Sequence, residues 1–340
     1  MSRQIGLDVL HLRRTPRLGH AEYCSSDAIM RDVEARTGKA FFDGWDIDFV
    51  WNTDDGPIAW EKAGRCTDMG HAEFLEGGVD WRDAGACPFR DPEEVLAFDA
   101  VREYGAPELD VLTEYYEKRY RELAGRFPNQ VVTGGYYRSM MSGAIQSFGW
   151  EMLLLAAADR SGFARVLDSF FRLSLQHYKA WARTSVEAFI CHDDMVWTEG
   201  PFLSPDFYRS EIFPRYAALW KVVKDAGKRV LFCSDGDWSM FLDDIAAAGA
   251  DGFILEPTVS LDAVVAKYGQ SHVIVGSKVD CRTLTFGALE DIQAEIDATL
   301  DVAFGCGGFM FAVGNHIPSN VPVENARFYY DYLSSHWARG

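Results

Sequence analysis

Positive charge is what this 340-residue chain has least of: 33 lysines and arginines stand against 51 acidic residues, a formal net charge of −18. A field of that sign repels a phosphate backbone, so no nucleic-acid partner is expected. Long apolar runs are missing as well. No window reaches the length needed to span a bilayer, and the opening "MSRQIGLDVLHLRRTPRLG" holds no apolar stretch long enough for a signal peptide. The seven cysteines are scattered and include no CxxC pair, which reads as free thiols in a reducing compartment. The expected location is therefore the cytoplasm, away from membranes. Neither GxGxxG nor GxxxxGK[ST] follows any apolar run, which disfavours a nucleotide-binding sheet. There is no internal repeat and no low-complexity tract.

What is present suits a large buried core, with 48% hydrophobic and 14% aromatic residues. From about residue 130 the chain alternates short Val-, Ile- and Phe-rich runs with helical patterns. The runs are "QVVTGGYY" (130–137), "EAFICHDD" (187–194), "RVLFCSD" (229–235), "DGFILEP" (251–257), "HVIVGSK" (272–278) and "GFMFAVGN" (308–315). They lack polar alternation, as strands covered on both faces do. Upstream, "RLGHAEYC" (17–24) and "DIDFVWNT" (46–53) add two more candidates. Helices are expected near 145–158, 162–184, 238–248, 260–268, 288–303 and 322–336. A further helix should start at Ser204 as N-cap with Pro205 in its first turn, kink at Pro214 and stop at Gly227. Eight strands alternating with helices predict an α/β chain folded as a (β/α)8 TIM-type barrel. The whole of 1–340 is read as one domain, with 54–128 as a large N-terminal insertion that shapes the pocket. That insertion is rich in Trp, Gly and acidic residues but has no clean period, and no fold is assigned to it.

In a parallel barrel all strand C-termini open on one face, where active sites sit. The strand ends here are polar in a consistent way. His192, Asp193 and Asp194 follow one run, and Cys233, Ser234 and Asp235 the next. Glu256, then Lys278, Asp280 and Cys281, then Asn315 and His316 follow the later runs, and Tyr136, Tyr137 and Arg138 close an earlier one. Each has an ordinary reading, since polar residues after strands often cap helices, as Asp235 and Asp237 could near Trp238. Convergence on one rim favours chemistry. Cys233, Glu256 and His316, from three strand ends, offer the mixed sulfur, oxygen and nitrogen ligands that zinc accepts. A metal-free alternative uses the carboxylates as acid and base, with Tyr137 and His316 positioning substrate. A cysteine nucleophile paired with histidine is a third option. Asp193 or Asp194 is the expected working carboxylate, tuned by His192 and walled by Met195 and Trp197, and Asp235 joins that catalytic set.

Three blocks carry a family resemblance: "HDDMVWTEGPFLSPDFYRSEIFPRYAALWKVVKDAGKRVLFCSDGD", "DDIAAAGADGFILEP" and "VGNHIPSNVPVENARFYYDYL". With them the chain resembles the uroporphyrinogen decarboxylase-like superfamily over nearly its whole length, most densely after residue 187. The resemblance implies a distorted (β/α)8 barrel. The superfamily also holds corrinoid-dependent methyltransferases. True uroporphyrinogen decarboxylases carry an FMRQAGRY-type signature that grips propionates. This chain reads "HLRRTPRLGHAEY" there, without the signature, although Arg13, Arg14 and Arg17 are close by. The zinc-bearing methyltransferases have a His-x-Cys and a later Cys. This chain offers Cys233 and Asp235 at the first two positions, Asn315 or His316 at the third, and Glu256 as an acidic ligand between them.

These observations lead to a methyltransferase moving a methyl group between a small O-methyl substrate and a corrinoid carried by a separate partner protein. Zinc or a carboxylic acid would activate the leaving heteroatom, and Tyr137, Trp197 and Asn315 would contact the substrate. The alternative is a cofactor-free decarboxylase or lyase acting on a small carboxylated compound. A non-catalytic aromatic-binding barrel is the third class, disfavoured by the polar rim. Self-association into a homodimer is left open.

Overall fold

Eight short runs become the strands of a parallel barrel. They are β1 (Gly19–His20), β2 (Phe49–Val50), β3 (Val131–Val132 continuing as Gly134–Tyr136), β4 (Ala188–His192), β5 (Arg229–Cys233), β6 (Gly252–Ile254), β7 (Val273–Val275) and β8 (Gly308–Phe311). The computed structural model describes residues 2–67, 73–75, 79–81 and 86–340. Neighbouring strands pair in parallel from β3 through β8 and on to β1, and β2 pairs with the first half of β3. A single parallel bridge between Ala21 and Phe49 closes the ring between β1 and β2. All eight expected strands are present, and the fold is the α/β barrel that the sequence predicts.

The distortion has a local cause. β3 is interrupted at Thr133, whose N–H reaches the Val50 carbonyl at 3.1 Å while its Oγ1 accepts the N–H of Asn52 at 2.9 Å. A side chain thus replaces a ladder bond, and the two halves of β3 pair with different neighbours.

The apolar character of the strands on both faces follows from the barrel. Along β5, Leu231 and Cys233 point inward, joining Ile190, Ile254, Val275 and Met310, while Val230 and Phe232 point outward to the helices. The N-terminal mouth is plugged by α1 (Ser2–Leu10), which sends Ile5, Val9 and Leu10 into the inner cluster. The outer layer includes α2 (Leu109–Arg126), α3 (Met140–Phe148), α4 (Arg160–Ala182), α5 (Phe213–Asp225) and α6 (Val323–His336).

The kink expected at Pro214 takes a particular form. A π-helical turn spans Tyr208–Ile212, and the Phe213 N–H bonds to the Tyr208 carbonyl five residues back. Proline donates no hydrogen bond, and the widened turn accommodates that gap. Ser204 holds the N-cap position with extended backbone but makes no side-chain cap bond. Gly227, at φ +80°, follows the end of α5 as expected.

The insertion is mostly helical where it is described, with a short antiparallel strand pair, Glu73–Leu75 with Val79–Trp81. Its aromatics cover α3 and α4: Phe89 packs edge-on against Phe148 at 5.0 Å, and Phe98 stacks with Phe170 at 5.7 Å. The rest of the region, residues 68–72, 76–78 and 82–85, lies outside the described residues. Among the described residues no helix is long and apolar enough to cross a membrane.

Because Leu231 fills the barrel interior, replacing it by alanine should leave a void that the rigid ring cannot collapse around. We expect Leu231→Ala to lower unfolding stability by about 3 kcal/mol in a denaturant titration. A loss under about 1 kcal/mol would mean that the interior repacks.

Candidate active site

The polar residues after β4 alternate in direction because the strand period is two. Asp193 turns outward and is completely buried. It accepts the backbone N–H groups of Met140, Met141 and Ser142 at 3.1, 3.2 and 2.6 Å, and the Tyr216 hydroxyl at 2.7 Å. Burial pushes its pKa up to about 6, against the pull of those donors. Asp193 therefore clamps the N-terminus of α3 to α5 and β4. It does not line the cavity, and the catalytic role expected for it is corrected to a structural one.

His192 and Asp194 turn inward, to different depths. His192 lines the cavity, whereas Asp194 stands one step behind the wall. Its carboxylate receives the Tyr137 hydroxyl at 2.8 Å and the Asp235 N–H at 3.0 Å, and its own N–H bonds to Ser142 Oγ at 2.7 Å. His192 Nε2 lies 3.4 Å from the same carboxylate, close enough for charge attraction. The alignment leaves this buried nitrogen without a hydrogen bond. Burial alone would raise Asp194, but the His192 charge and the surrounding donors outweigh it and hold it below the usual carboxylate range. Asp194 thus organises Tyr137, His192 and Asp235, and reaches substrate through them.

The next strand ends interlock. Gly236 sits at φ +82° with its Cα so close to the Trp197 carbonyl that a Cβ would fall 2.4 Å from that oxygen. Only glycine fits, and the turn aims the Gly236 N–H at Glu256 Oε2, 2.8 Å away. The other Glu256 oxygen accepts the Asn315 amide at 2.7 Å, and the same amide lies 3.3 Å from Asp235. Asn315 adopts φ +66°, a left-handed conformation that asparagine tolerates, and its carbonyl oxygen meets His316 Nδ1. Burial, reinforced by the nearby Asp194 charge, raises the Glu256 pKa despite these donors. Two carboxylates a few residues apart in space are therefore pushed in opposite directions, a pattern suited to acid and base roles.

Together these ends enclose a cavity of about 540 Å³. Tyr137, His192, Cys233, Asp235, Glu256, Asn315 and His316 all line it, as the sequence predicts. Trp197 does not. Its N–H and carbonyl are tied to Gly200 in a tight turn, and the ring is turned outward, 47% exposed, against Trp150 and Phe202. The aromatic walls come instead from Tyr23, Phe49 and Trp51. The insertion contributes Asp55, whose carboxylate holds the N–H groups of Tyr137 and Arg138 at 3.0 and 2.9 Å. Among the described lining residues, Glu22, Asp55, Asp235 and Glu256 are acidic, and Arg138 alone is permanently cationic. Sequence reasoning gave no role to Glu22, Trp51 or Asp55. The first strand is only two residues long, and Asp55 lies where the readable pattern stops.

The side chains whose geometry could hold a metal ion also differ from the expected set. Among the described residues, the set whose potential ligand atoms all lie within 4.8 Å of one another is His192, Asp194 and Asp235, not Cys233, Glu256 and His316. The Cys233 thiol sits in the apolar barrel interior. Burial, with the carboxylates around it, pushes that thiol's pKa well up, so without a metal it stays protonated. The nitrogen–oxygen set that remains fits zinc as a ligand type, and the unpartnered His192 Nε2 is the atom such an ion would engage.

The two aspartates after β4 should separate in experiment. Asp193→Asn turns one of two accepting oxygens into an NH2 donor among four buried donors and should cost at least about 3 kcal/mol of stability. Asp194→Asn should leave the denaturation midpoint nearly in place while abolishing turnover. Equal destabilisation by both would contradict this division of roles.

Comparison with known proteins agrees with this architecture. The uroporphyrinogen decarboxylase (URO-D) family model matches residues 86–336. Uroporphyrinogen decarboxylase of Syntrophotalea carbinolica is 28% identical over 251 residues, covering 72% of this chain and 69% of that protein. The Pseudoalteromonas atlantica enzyme of the same name is 33% identical over 255 residues, covering 70% and 68%. Among solved structures, a methyltransferase from Methanosarcina mazei superposes with a TM-score of 0.68 at 16% identity, covering 99% of both chains. A family match of that extent, on a barrel whose strand ends carry the site, makes this chain a member of the uroporphyrinogen decarboxylase family.

Proposed function

We propose that the protein is a methyltransferase, moving a methyl group from a small O-methyl compound to a corrinoid carried by a separate partner protein. The charge of the cavity carries this reading. A decarboxylase for a polycarboxylated tetrapyrrole needs cationic grips, and here four lining carboxylates face one guanidinium. The three arginines near the first strand are occupied elsewhere. Arg13 pairs with Asp8, Arg14 donates to the Gly340 carbonyl, and Arg17 is locked to Asp48 and stacked over Trp337. None lines the cavity. The similarity in fold to the Methanosarcina mazei methyltransferase is in keeping with this reading.

The residues divide the work as follows. Tyr23, Phe49 and Trp51 enclose an apolar methylated substrate, and Tyr137, fixed by Asp194, orients its heteroatom. Glu256, protonated to a higher pH than an ordinary carboxyl, donates a proton to that heteroatom as its bond to carbon breaks. Zinc on His192, Asp194 and Asp235 would supply Lewis-acid polarisation of the same heteroatom. The corrinoid would supply the methyl acceptor.

Activity that depends on protonated Glu256 should fall as pH rises through its elevated pKa. Glu256→Gln should remove that alkaline limb and most of the turnover, about 100-fold or more. The assay is release of 2-methoxyphenol's demethylated product on addition of a corrinoid protein, read with the cobalt absorbance. Metal analysis of protein purified without chelator should find about one equivalent, lost in Asp235→Asn. Carbon dioxide release from a carboxylated substrate, with no methyl transfer to any corrinoid protein, would replace this reading by the decarboxylase one.

A further inference from the structure

One ionisable pair in the barrel has no part in the chemistry above. His20 ends β1 and is wholly buried, and Glu22, two residues on, is 5% exposed and lines the cavity. His20 Nδ1 lies 2.8 Å from the Trp45 carbonyl oxygen, and its Nε2 lies 3.1 Å from Glu22 Oε1. A carbonyl oxygen only accepts, so Nδ1 carries a proton. If His20 were neutral, Nε2 would then present a lone pair to a carboxylate oxygen, and the contact would be repulsive. A proton must therefore lie between Nε2 and Oε1.

The surroundings of Glu22 say which partner owns that proton. The Tyr329 hydroxyl donates to Oε1, and the Val313 N–H approaches Oε2 at 3.2 Å. Donors converging on both oxygens favour the carboxylate over the acid. Behind His20, its backbone N–H donates to Asp48 at 2.9 Å, but Asp48 is already neutralised by Arg17 at 2.7 Å. The other polar neighbour is Tyr330, whose ring lies 6.0 Å from the imidazole and whose hydroxyl donates to Asp46. We propose that His20 and Glu22 form a buried imidazolium–carboxylate pair. It presents Glu22 to the cavity as a fixed acceptor for a hydroxyl or ammonium hydrogen on the substrate.

Two features favour this role over a purely structural one. Glu22 Oε1 is saturated by His20 and Tyr329, while Oε2 has a single, long backbone donor and is left able to accept another. In the eight-strand ring β1 also lies across from β5, and Glu22 and Asp235, each two residues beyond the end of its strand, both line the cavity. A substrate held at the Asp235 side by its methyl-bearing heteroatom would bring its other polar group toward Glu22. The pair selects substrates carrying a hydrogen-bond donor there, because an acceptor or a second methyl group would leave Oε2 desolvated and unmatched.

The protonation state is tested on the protein alone, independently of the proposed methyl transfer. Nitrogen-15 NMR at pH 7, with His20 assigned by loss of its signals in His20→Asn, should show both ring nitrogens protonated. A single protonated nitrogen would overturn the proposal. In Glu22→Gln, if it folds, the Nε2 proton should disappear. The substrate half rests on the proposed methyl-transfer reading and uses two probes, 2-methoxyphenol and 1,2-dimethoxybenzene, followed by quenching of tryptophan fluorescence. Wild-type protein should bind the phenol at least tenfold more tightly, and Glu22→Gln should bind the two alike. Absence of any preference in the wild type would overturn the substrate contact and leave the protonation result to stand or fall by itself.

Discussion

Everything on the catalytic face rests on one buried carboxylate that does no chemistry. Asp193 carries charge where there is no solvent, and four donors from α3 and α5 are organised around it. Its own N–H bonds to the Cys233 carbonyl, which continues the pairing of β4 with β5 past the last full register position. The same short segment of α3 supplies Ser142, whose hydroxyl fixes the backbone of Asp194. The placement of Asp194 determines that of Tyr137, His192 and Asp235. A charge that is costly to bury is thus used as an anchor, and its neighbour inherits a rigid position.

A second constraint follows from the sign of the cavity. Its acidic groups are held largely by oriented N–H groups and hydroxyls, with Asp55 also facing Arg138 and Glu22 facing His20. Gly236 and Asn315 serve Glu256, the amides of Tyr137 and Arg138 serve Asp55, and Val313 with Tyr329 serves Glu22. Such donors hold a carboxylate in place without cancelling its field in the cavity. The site therefore remains attractive to cations and to hydrogen-bond donors, and hostile to polyanions. Asp55 lies 3.5 Å from Arg138, whose guanidinium also stacks over Trp60.

The sequence made the barrel legible because burial on both faces leaves a strong mark: "RVLFC" needs one apolar side for the interior and one for the helices. It also marked the strand ends from β4 onward, where long apolar runs point to the polar residues that follow. It did not show which of two adjacent aspartates faces in. That depends on where the strand's alternation ends, and Asp193 and Asp194 differ by only one position. Trp197 was misplaced for a related reason, since a backbone turn with Gly200 decides the direction of its ring and leaves little trace in composition. Glu22 and Asp55 lay hidden because β1 and β2 are two residues each, too short to show a period.

The end of β5 sets which atoms of the rim face the cavity. Cys233 points into the apolar barrel interior, where burial and three neighbouring carboxylates oppose ionisation of its thiol. Two residues later Asp235 faces the cavity, with its N–H on Asp194 and its carboxylate near Asn315. A thiolate would need a bound cation to exist at the first position. Among the described residues the group that could hold an ion is His192, Asp194 and Asp235, which turn inward from adjacent strands. The barrel supplies the same rim, and the placement of a few buried donors decides which atoms on it are free to react.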